Sequence, residues 1–414
     1  MRPSSASSRR RFFRESALWG AAAVFGAAGA AAPKAAASAL PALSSVAGVK
    51  ITRIRCHILQ QQAMALVELE TDAGVTGWGE CAWDGRAVMK RMIDDFLAKE
   101  CVGQSIHDVR RLWDWMFYEN HDLGPGGALP NAIAGIDIAL WDAKGRLLGL
   151  PVWQLLGGRY RDKVEAYGSI QVRRGRVSVE DCVRSCQEAV QLGYKAVKIR
   201  MQIREHFLNL EPDPTFAYVA AARKALGDDI VIMVDANNGY SAARAIQTGL
   251  KLYENWNVTY FEDPVSDQNN AEMAQVVDAL QRVNIVAGEK CYTRWQIRDL
   301  IVQGRVGMLN PDVIKAGGFT ELDRIHHLAT CFQKPIQLHN SRPTISTAAS
   351  VHAMATYSQV GRFIEYPHLT PELEAQIRLF RQDVRPRDGW LHLPTGPGLG
   401  LEPDPAALRA ALAE

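Results

Sequence analysis

Three short apolar runs, IVIMVD (residues 230–235), VTYFE (258–262) and NIVAGE (284–289), each end on an acid. Those acids, Asp235, Glu262 and Glu289, stand 27 residues apart and then 27 again. Downstream, polar residues close comparable runs at Asp312, His339 and Glu365, in steps of 23, 27 and 26. A step of that size accommodates one strand, one helix and two short loops, the repeating unit of a parallel barrel. The runs are apolar on both faces, as strands enclosed between helices and a packed interior must be. The spacing therefore predicts an α/β fold, a (β/α)7–8 barrel of the TIM type, with six polar side chains delivered to one rim. That rim is the C-terminal face, where barrel active sites lie. Three carboxylates meeting there would repel one another without a cation, and their hard oxygens suit Mg2+. A lone acid at a strand end is ordinarily a helix cap or a salt-bridge partner; six polar ends in one register argue for a site.

Length and composition allow this. A chain of 414 residues, 47% hydrophobic, is long enough for a full barrel and a second domain. The formal charge of +2 is misleading, because residues 1–48 hold Arg2, Arg9, Arg10, Arg11, Arg14 and Lys34 against Glu15 alone. Without that excess of +5 the remainder stands at −3, and no basic stripe survives to engage nucleic acid. Seven cysteines, odd in number and without metal-type spacing, read as buried thiols of a chain folded in a reducing compartment. Cys182 and Cys186, four apart, share a helix face and read as core.

Residues 1–48 read as an address and a linker. Ser8-Arg9-Arg10-Arg11-Phe12-Phe13-Arg14 resembles a twin-arginine export motif, and the Ala/Gly-rich run Ala17–Ala32 behind it is too short for a comfortable membrane span. Ala35-Ala36-Ala37 offers small residues for cleavage. The expected partner is the twin-arginine export machinery, and the expected location is periplasmic or secreted, with no stable membrane span.

Residues 49–160 read as an α+β capping domain. Val49–Leu59 and Met64–Thr71 form a hairpin, Asp72-Ala73-Gly74 turns the chain into Val75–Glu80, and helices are predicted near 86–100, 105–119 and 130–147. The barrel, residues 161–370, opens with Lys163–Ile170 and Tyr194–Arg200 before the six spaced strand ends. Residues 371–414, with the Gly/Pro-rich segment Gly396–Gly400, are expected to pack back on the cap.

From Val49 to Glu402 the chain resembles the enolase superfamily, and within it the mandelate racemase group of acid-sugar dehydratases, racemases and cycloisomerases. The cap carries TDAGVTGWGE and the long helix AIAGIDIALWDAKGRLLGLPVWQLLGG; the barrel carries VDANNGY, FEDP, AGEK and NPDVIKAGG in that order. The resemblance implies that Asp235, Glu262 and Glu289 bind one Mg2+ and that Asn237 lies near the metal and substrate. It implies that Lys198 contacts a substrate carboxylate, and that Asp312 and His339 form a dyad in which the acid orients the imidazole. Glu365 is expected to hydrogen-bond the same carboxylate. A homo-oligomer is also implied. One position departs from the pattern: where the group shows Lys-x-Lys, this chain has Lys198-Ile199-Arg200. Arginine keeps its proton far above neutral pH and makes a poor base, although its fork suits a carboxylate.

Removing a proton α to a carboxylate requires stabilisation of the resulting enediolate, which a cation on the carboxylate oxygens supplies, and a base within hydrogen-bond reach of that carbon. With His339 as the one good base, the expected reaction is dehydration of a sugar acid to a 2-keto-3-deoxy acid. The alternatives are a sugar-lactone cycloisomerase, a racemase or epimerase, which needs bases on both faces, and a non-catalytic exported sugar-acid binding protein. The cap loops near 59–65 and 81–86 are expected to read the distal hydroxyls through residues such as Trp83, Asp84 and Arg86. Ala316-Gly317-Gly318 is read as a turn rather than a phosphate site.

Overall fold

The computed structural model describes residues 46–82 and 84–413. The export motif and Trp83 lie outside the described residues.

Chain alternation in the first domain produces a three-stranded antiparallel meander. Strands β1 (Ile51–Leu59), β2 (Met64–Thr71) and β3 (Thr76–Cys81) pair in sequence order, with Leu59 opposite Met64 and Ala65 opposite Cys81. The predicted hairpin is therefore extended by the segment after its turn, which returns as a third strand. Gly74 makes that turn with a left-handed φ of 72°, a conformation glycine adopts without steric cost.

The 21-residue helix Ala128–Leu148 lies directly on this sheet. Its approach is so close that a Cβ on Gly79 would sit 1.9 Å from the Gly135 carbonyl oxygen, and one on Gly77 would sit 2.1 Å from that of Ala139. The alternate glycines of TGWGE are thus a contact surface for a helix backbone. Asp142, on the same helix, accepts hydrogen bonds from the Trp78 amide at 2.9 Å and from Leu399 at 2.7 Å.

The barrel follows as expected from the spacing. Strands β4 (Lys163–Gln171), β5 (Ala196–Arg200), β6 (Val231–Asp235), β7 (Tyr260–Glu262), β8 (Asn284–Ala287), β9 (Met308–Leu309) and β10 (Phe363–Pro367) are all parallel, in the order β10-β4-β5-β6-β7-β8-β9. The position between β9 and β10 is filled by isolated bridges, Ile336 pairing with Leu309 on one side and Val360 on the other. Tyr167, Ala196, Met233, Tyr260, Val286 and Phe363 pack together as a cluster distinct from the main core, one side chain from each of six strands. Helices Val179–Gln191 and Ala242–Trp256 begin with serine caps, Ser178 and Ser241, whose side chains accept an amide three residues on.

Two expectations change in detail. The strands are shorter than the apolar runs that announced them: Glu289 lies two residues beyond β8, while Asp312 and His339 belong to no extended strand and meet through an isolated parallel bridge. The described part of the C-terminal segment, from residue 371 on, touches both domains, because β11 (Trp390–His392) pairs antiparallel with the start of β4 while Gly398 and Leu399 hold the cap helix and its end. Among the cysteines six are buried, but Cys331 is exposed at the end of helix Gly318–Cys331. Among the described residues, no helix is long and apolar enough to cross a membrane.

The glycine contact gives a direct test. Gly79→Ala should destabilise the protein by about 1–3 kcal/mol, the usual cost of overpacking a filled interface, read as a lower denaturation midpoint. An unchanged midpoint would mean that helix and sheet separate without cost.

Candidate active site

Strand register sets the first layer of the site. Arg200 pairs with Asp235 and Asp235 with Glu262, so three charged side chains from β5, β6 and β7 stand on one rung at the C-terminal rim. Lys198 lies two residues before Arg200 on β5 and shares its face. Its Nζ lies 2.7 and 2.8 Å from the two oxygens of Glu262 and 3.3 Å from Glu365 Oε1. Burial alone would drive the proton off Lys198, but the carboxylates of Glu262, Glu365 and Asp235 outweigh it and hold the ammonium well above its usual range.

Arg200 takes the other side of the rung. Its Nε lies 3.4 Å from Asp235 Oδ2 and donates to Asn237 Oδ1 at 3.2 Å. Asn237 is fully engaged: its backbone and side-chain amides both donate to Asp235 at 2.8 Å, and its carbonyl also accepts from the Gln202 amide at 3.0 Å. The geometry makes Asn237 a brace between Asp235 and Arg200.

The dyad stands across the rim. His339 Nδ1 lies 2.7 Å from Asp312 Oδ2, while Nε2 lies 2.8 Å from Glu289 Oε2 and 3.7 Å from Glu365 Oε2. The imidazole is 3% exposed. Burial favours its neutral form, but Glu289, Glu365 and Asp312 prevail over burial and over Lys315, raising its pKa to about 10. Glu365 moves the opposite way, to about 2, because Lys198 and His339 overcome its burial. The Asn340 amide also donates to Glu365 at 3.3 Å.

The three acids of the opening pattern fit a small divalent cation in their chemistry. Glu262 rises to about 7 through burial and the charges of Asp235, Glu365 and Glu289, in spite of Lys198. The neighbouring Asp263 is pushed well above the carboxylate range by burial and by Glu289. Two buried oxygens, Glu289 Oε2 and Asp263 Oδ2, make no aligned hydrogen bond, although His339 approaches the first. Among the described residues, no three such side chains are gathered around one point at ligand distance. Each acid is turned to its own cation, Asp235 to Arg200, Glu262 to Lys198 and Glu289 to His339.

A cavity of about 450 Å3 opens above His339, Arg200 and Glu365, lined from the cap by Ala63, Ala82 and Asp84. The cap loop is tied down by Gln376, whose side-chain amide donates to the Gln62 carbonyl at 2.6 Å. Arg86 does not line this cavity; its guanidinium donates to Gln60 at 3.3 Å. Two residues of the site are not singled out from the sequence. Lys315, three residues beyond Asp312, lines the cavity with its Nζ 4.0 Å from Asp312 Oδ2. Tyr260 donates to Glu262 from within the barrel at 3.0 Å and accepts from Gln337 at 3.2 Å. The motif NPDVIKAGG is the signal that could have pointed to Lys315, whereas Tyr260 reads only as a core aromatic.

Comparison with known proteins places the chain among relatives over most of its length. The mandelate racemase / muconate lactonizing enzyme N-terminal domain matches residues 45–157, and the enolase C-terminal domain-like family matches residues 181–407. A D-galactarolactone cycloisomerase of Agrobacterium fabrum is 31% identical over 377 residues, covering 86% of this chain and 96% of the relative. A D-galactonate dehydratase of Ralstonia pickettii is 31% identical over 365 residues, covering 86% and 93%. A mandelate racemase/muconate lactonizing protein from Paracoccus denitrificans, crystallised with magnesium, superposes with a TM-score of 0.82 at 32% identity, over 87% of this chain and 98% of that one.

The crowded acids predict a ligand-dependent stability. Adding magnesium should raise the melting temperature, by the equivalent of about 2.7 kcal/mol at a hundred times the dissociation constant. Glu262→Gln should lose most of that shift. A wild-type melting curve indifferent to excess magnesium is the contrary result.

Proposed function

The chain belongs to the mandelate racemase / muconate lactonizing enzyme family of the enolase superfamily, and we propose that it is a magnesium-dependent lyase that dehydrates a sugar acid to a 2-keto-3-deoxy acid. The observation that carries this reading is the asymmetry of the rim: one oriented imidazole, His339 on Asp312, faces an arginine where a second base would stand. Relatives named as D-galactonate and D-xylonate dehydratases support the reaction class.

Asp235, Glu262 and Glu289 would hold the metal. Magnesium bound there would supply positive charge to the substrate carboxylate and offset the Glu289 charge that otherwise keeps His339 protonated. Lys198 Nζ donates to the carboxylate end of the substrate, and Glu365, 3.3 Å from that ammonium, holds it in place. His339 Nε2 takes the α-proton, with Asp312 fixing the ring through Nδ1. The same imidazole then returns that proton to the departing β-hydroxyl, so that water leaves by syn elimination. The resulting enol tautomerises to the ketone. Arg200, whose guanidinium Asp235 and Asn237 hold in place, keeps its proton and stabilises negative charge on the opposite side. A racemase would need a base there. Cycloisomerisation of a sugar lactone uses the same single base and is the second reading, favoured by the D-galactarolactone relative.

Export belongs to the same proposal. Arg9 and Arg10 in SRRRFFR support passage through the twin-arginine route, which carries folded proteins, and thus a periplasmic or secreted enzyme that acquires its metal before leaving the cytoplasm.

Two experiments test these claims. His339→Asn should abolish both keto-acid formation and exchange of the α-proton with D2O, whereas Arg200→Lys should keep measurable turnover because a positive charge remains. An asparagine variant that still exchanges at the wild-type rate would move the base to the Lys198 side. For export, replacing Arg9 and Arg10 together by lysine should leave a folded, active precursor in the cytoplasm; undiminished export of that variant would refute the route.

A further inference from the structure

The cavity above His339 is lined by Arg173, Arg200, Arg204, Lys315 and Arg342 against the acids Asp84, Glu365 and Glu372. Most of these cations already have a task. Arg200 is engaged by Asp235 and Asn237, and Lys315 stands 4.0 Å from Asp312. The charge of Arg342 partly offsets the burial that raises the Glu80 carboxyl. Two remain. Both are solvent-exposed on the cavity wall: among the described residues no hydrogen bond or ion pair holds either side chain, and Arg173 has only the charge of the exposed Glu372 nearby.

Their backbones point the same way. Arg173 follows the end of β4 and Arg204 the end of β5, both on the rim that carries the site. Their φ values, 49° and 66°, lie in the left-handed region, which an arginine occupies only at a cost in free energy. The two loops are bound to each other: the Arg174 amide donates to the Met201 carbonyl at 2.8 Å, and Gln202 donates to Gln171 at 3.5 Å. A paired set of loops thus holds two arginines, in unfavourable backbone conformations, on the wall of the substrate cavity.

We propose that the substrate is a sugar dicarboxylate and that Arg173 and Arg204 bind its distal carboxylate. This rests on the sugar-acid reading of the site and extends it. The proximal carboxylate is already provided for by Lys198 and by the cation that Asp235, Glu262 and Glu289 would hold. A neutral hydroxymethyl end gains nothing from these two exposed guanidinium groups beyond what water supplies, whereas a carboxylate matches their forked donors. About 450 Å3 is ample for a six-carbon diacid.

The test compares six-carbon acids that differ only at the far end, galactarate against galactonate and glucarate against gluconate, on the full enzyme with magnesium. For at least one pair, kcat/KM for the diacid should exceed that for the monoacid by about a hundredfold, the order expected for charge-assisted pairing. Arg204→Gln and Arg173→Gln should each lower that ratio at least tenfold, mainly through KM. A ratio near one in the wild type, equal losses on both acids in the variants, or preference for a 6-phosphorylated aldonate would overturn the proposal. If no acid is turned over, the dehydratase reading fails by itself. Calorimetric binding of the same pairs then decides this one: tighter diacid binding that is lost in Arg204→Gln upholds it, and equal binding of the two acids overturns it.

Discussion

Compensation of buried charge at the C-terminal rim is the constraint on which the rest of the site depends. Asp235, Glu262, Glu289, Asp312 and Glu365 are all almost completely buried, and so are Lys198 and His339. An unpaired ion in such a place costs several kcal/mol, so every acid must find a cation, bound or built in. Here Lys198 and Arg200 on one side and His339 on the other divide the acids between them. The catalytic asymmetry is a product of that division. Arg200 and Lys198 are held as cations by their acids, while His339, held protonated by Glu289, Glu365 and Asp312, is the group whose protonation depends on how those charges are offset.

The cap is joined to the barrel by polar contacts as specific as those of the rim. Glu80, at the end of the glycine strand, accepts from the Ser346 amide at 3.1 Å, at the start of a barrel helix. Asp137 accepts from the Thr320 amide at 3.0 Å, and Trp113 donates to the Gly317 carbonyl at 2.7 Å. The two glycines after the sixth strand therefore serve the interface: a Cβ on Gly318 would lie 2.5 Å from Asp137. Packing of the helix on the meander through Gly77 and Gly79 fixes the place of the cap loops, so Ala63, Ala82 and Asp84 reach the cavity while Arg86 does not.

Much of this architecture was written locally in the sequence. Apolar runs ending in acids at a near-constant interval announce a parallel barrel, because each unit must bury both faces of a strand and expose its end. The three-stranded sheet was only partly legible. Its third strand, TGWGE, has too few bulky side chains to signal a strand by propensity, and its glycines gain meaning only from the helix lying against them. The strand bearing His339 was read from the same interval, yet only bridges form there, since interval reports where a side chain arrives and not how many backbone bonds precede it.

The sequence by itself determined the fold class, the order of the polar strand ends and the replacement of a second lysine by Arg200, because all three depend on residue identity and spacing along one chain. Only the tertiary structure decided which acid each cation serves, that Asn237 is a brace, and that Arg173 and Arg204 line the cavity. Those facts depend on distances between strands and loops far apart in sequence, set by barrel closure and loop conformation. Electrostatic partnership falls off over a few ångströms of space, a quantity that position along the chain does not carry.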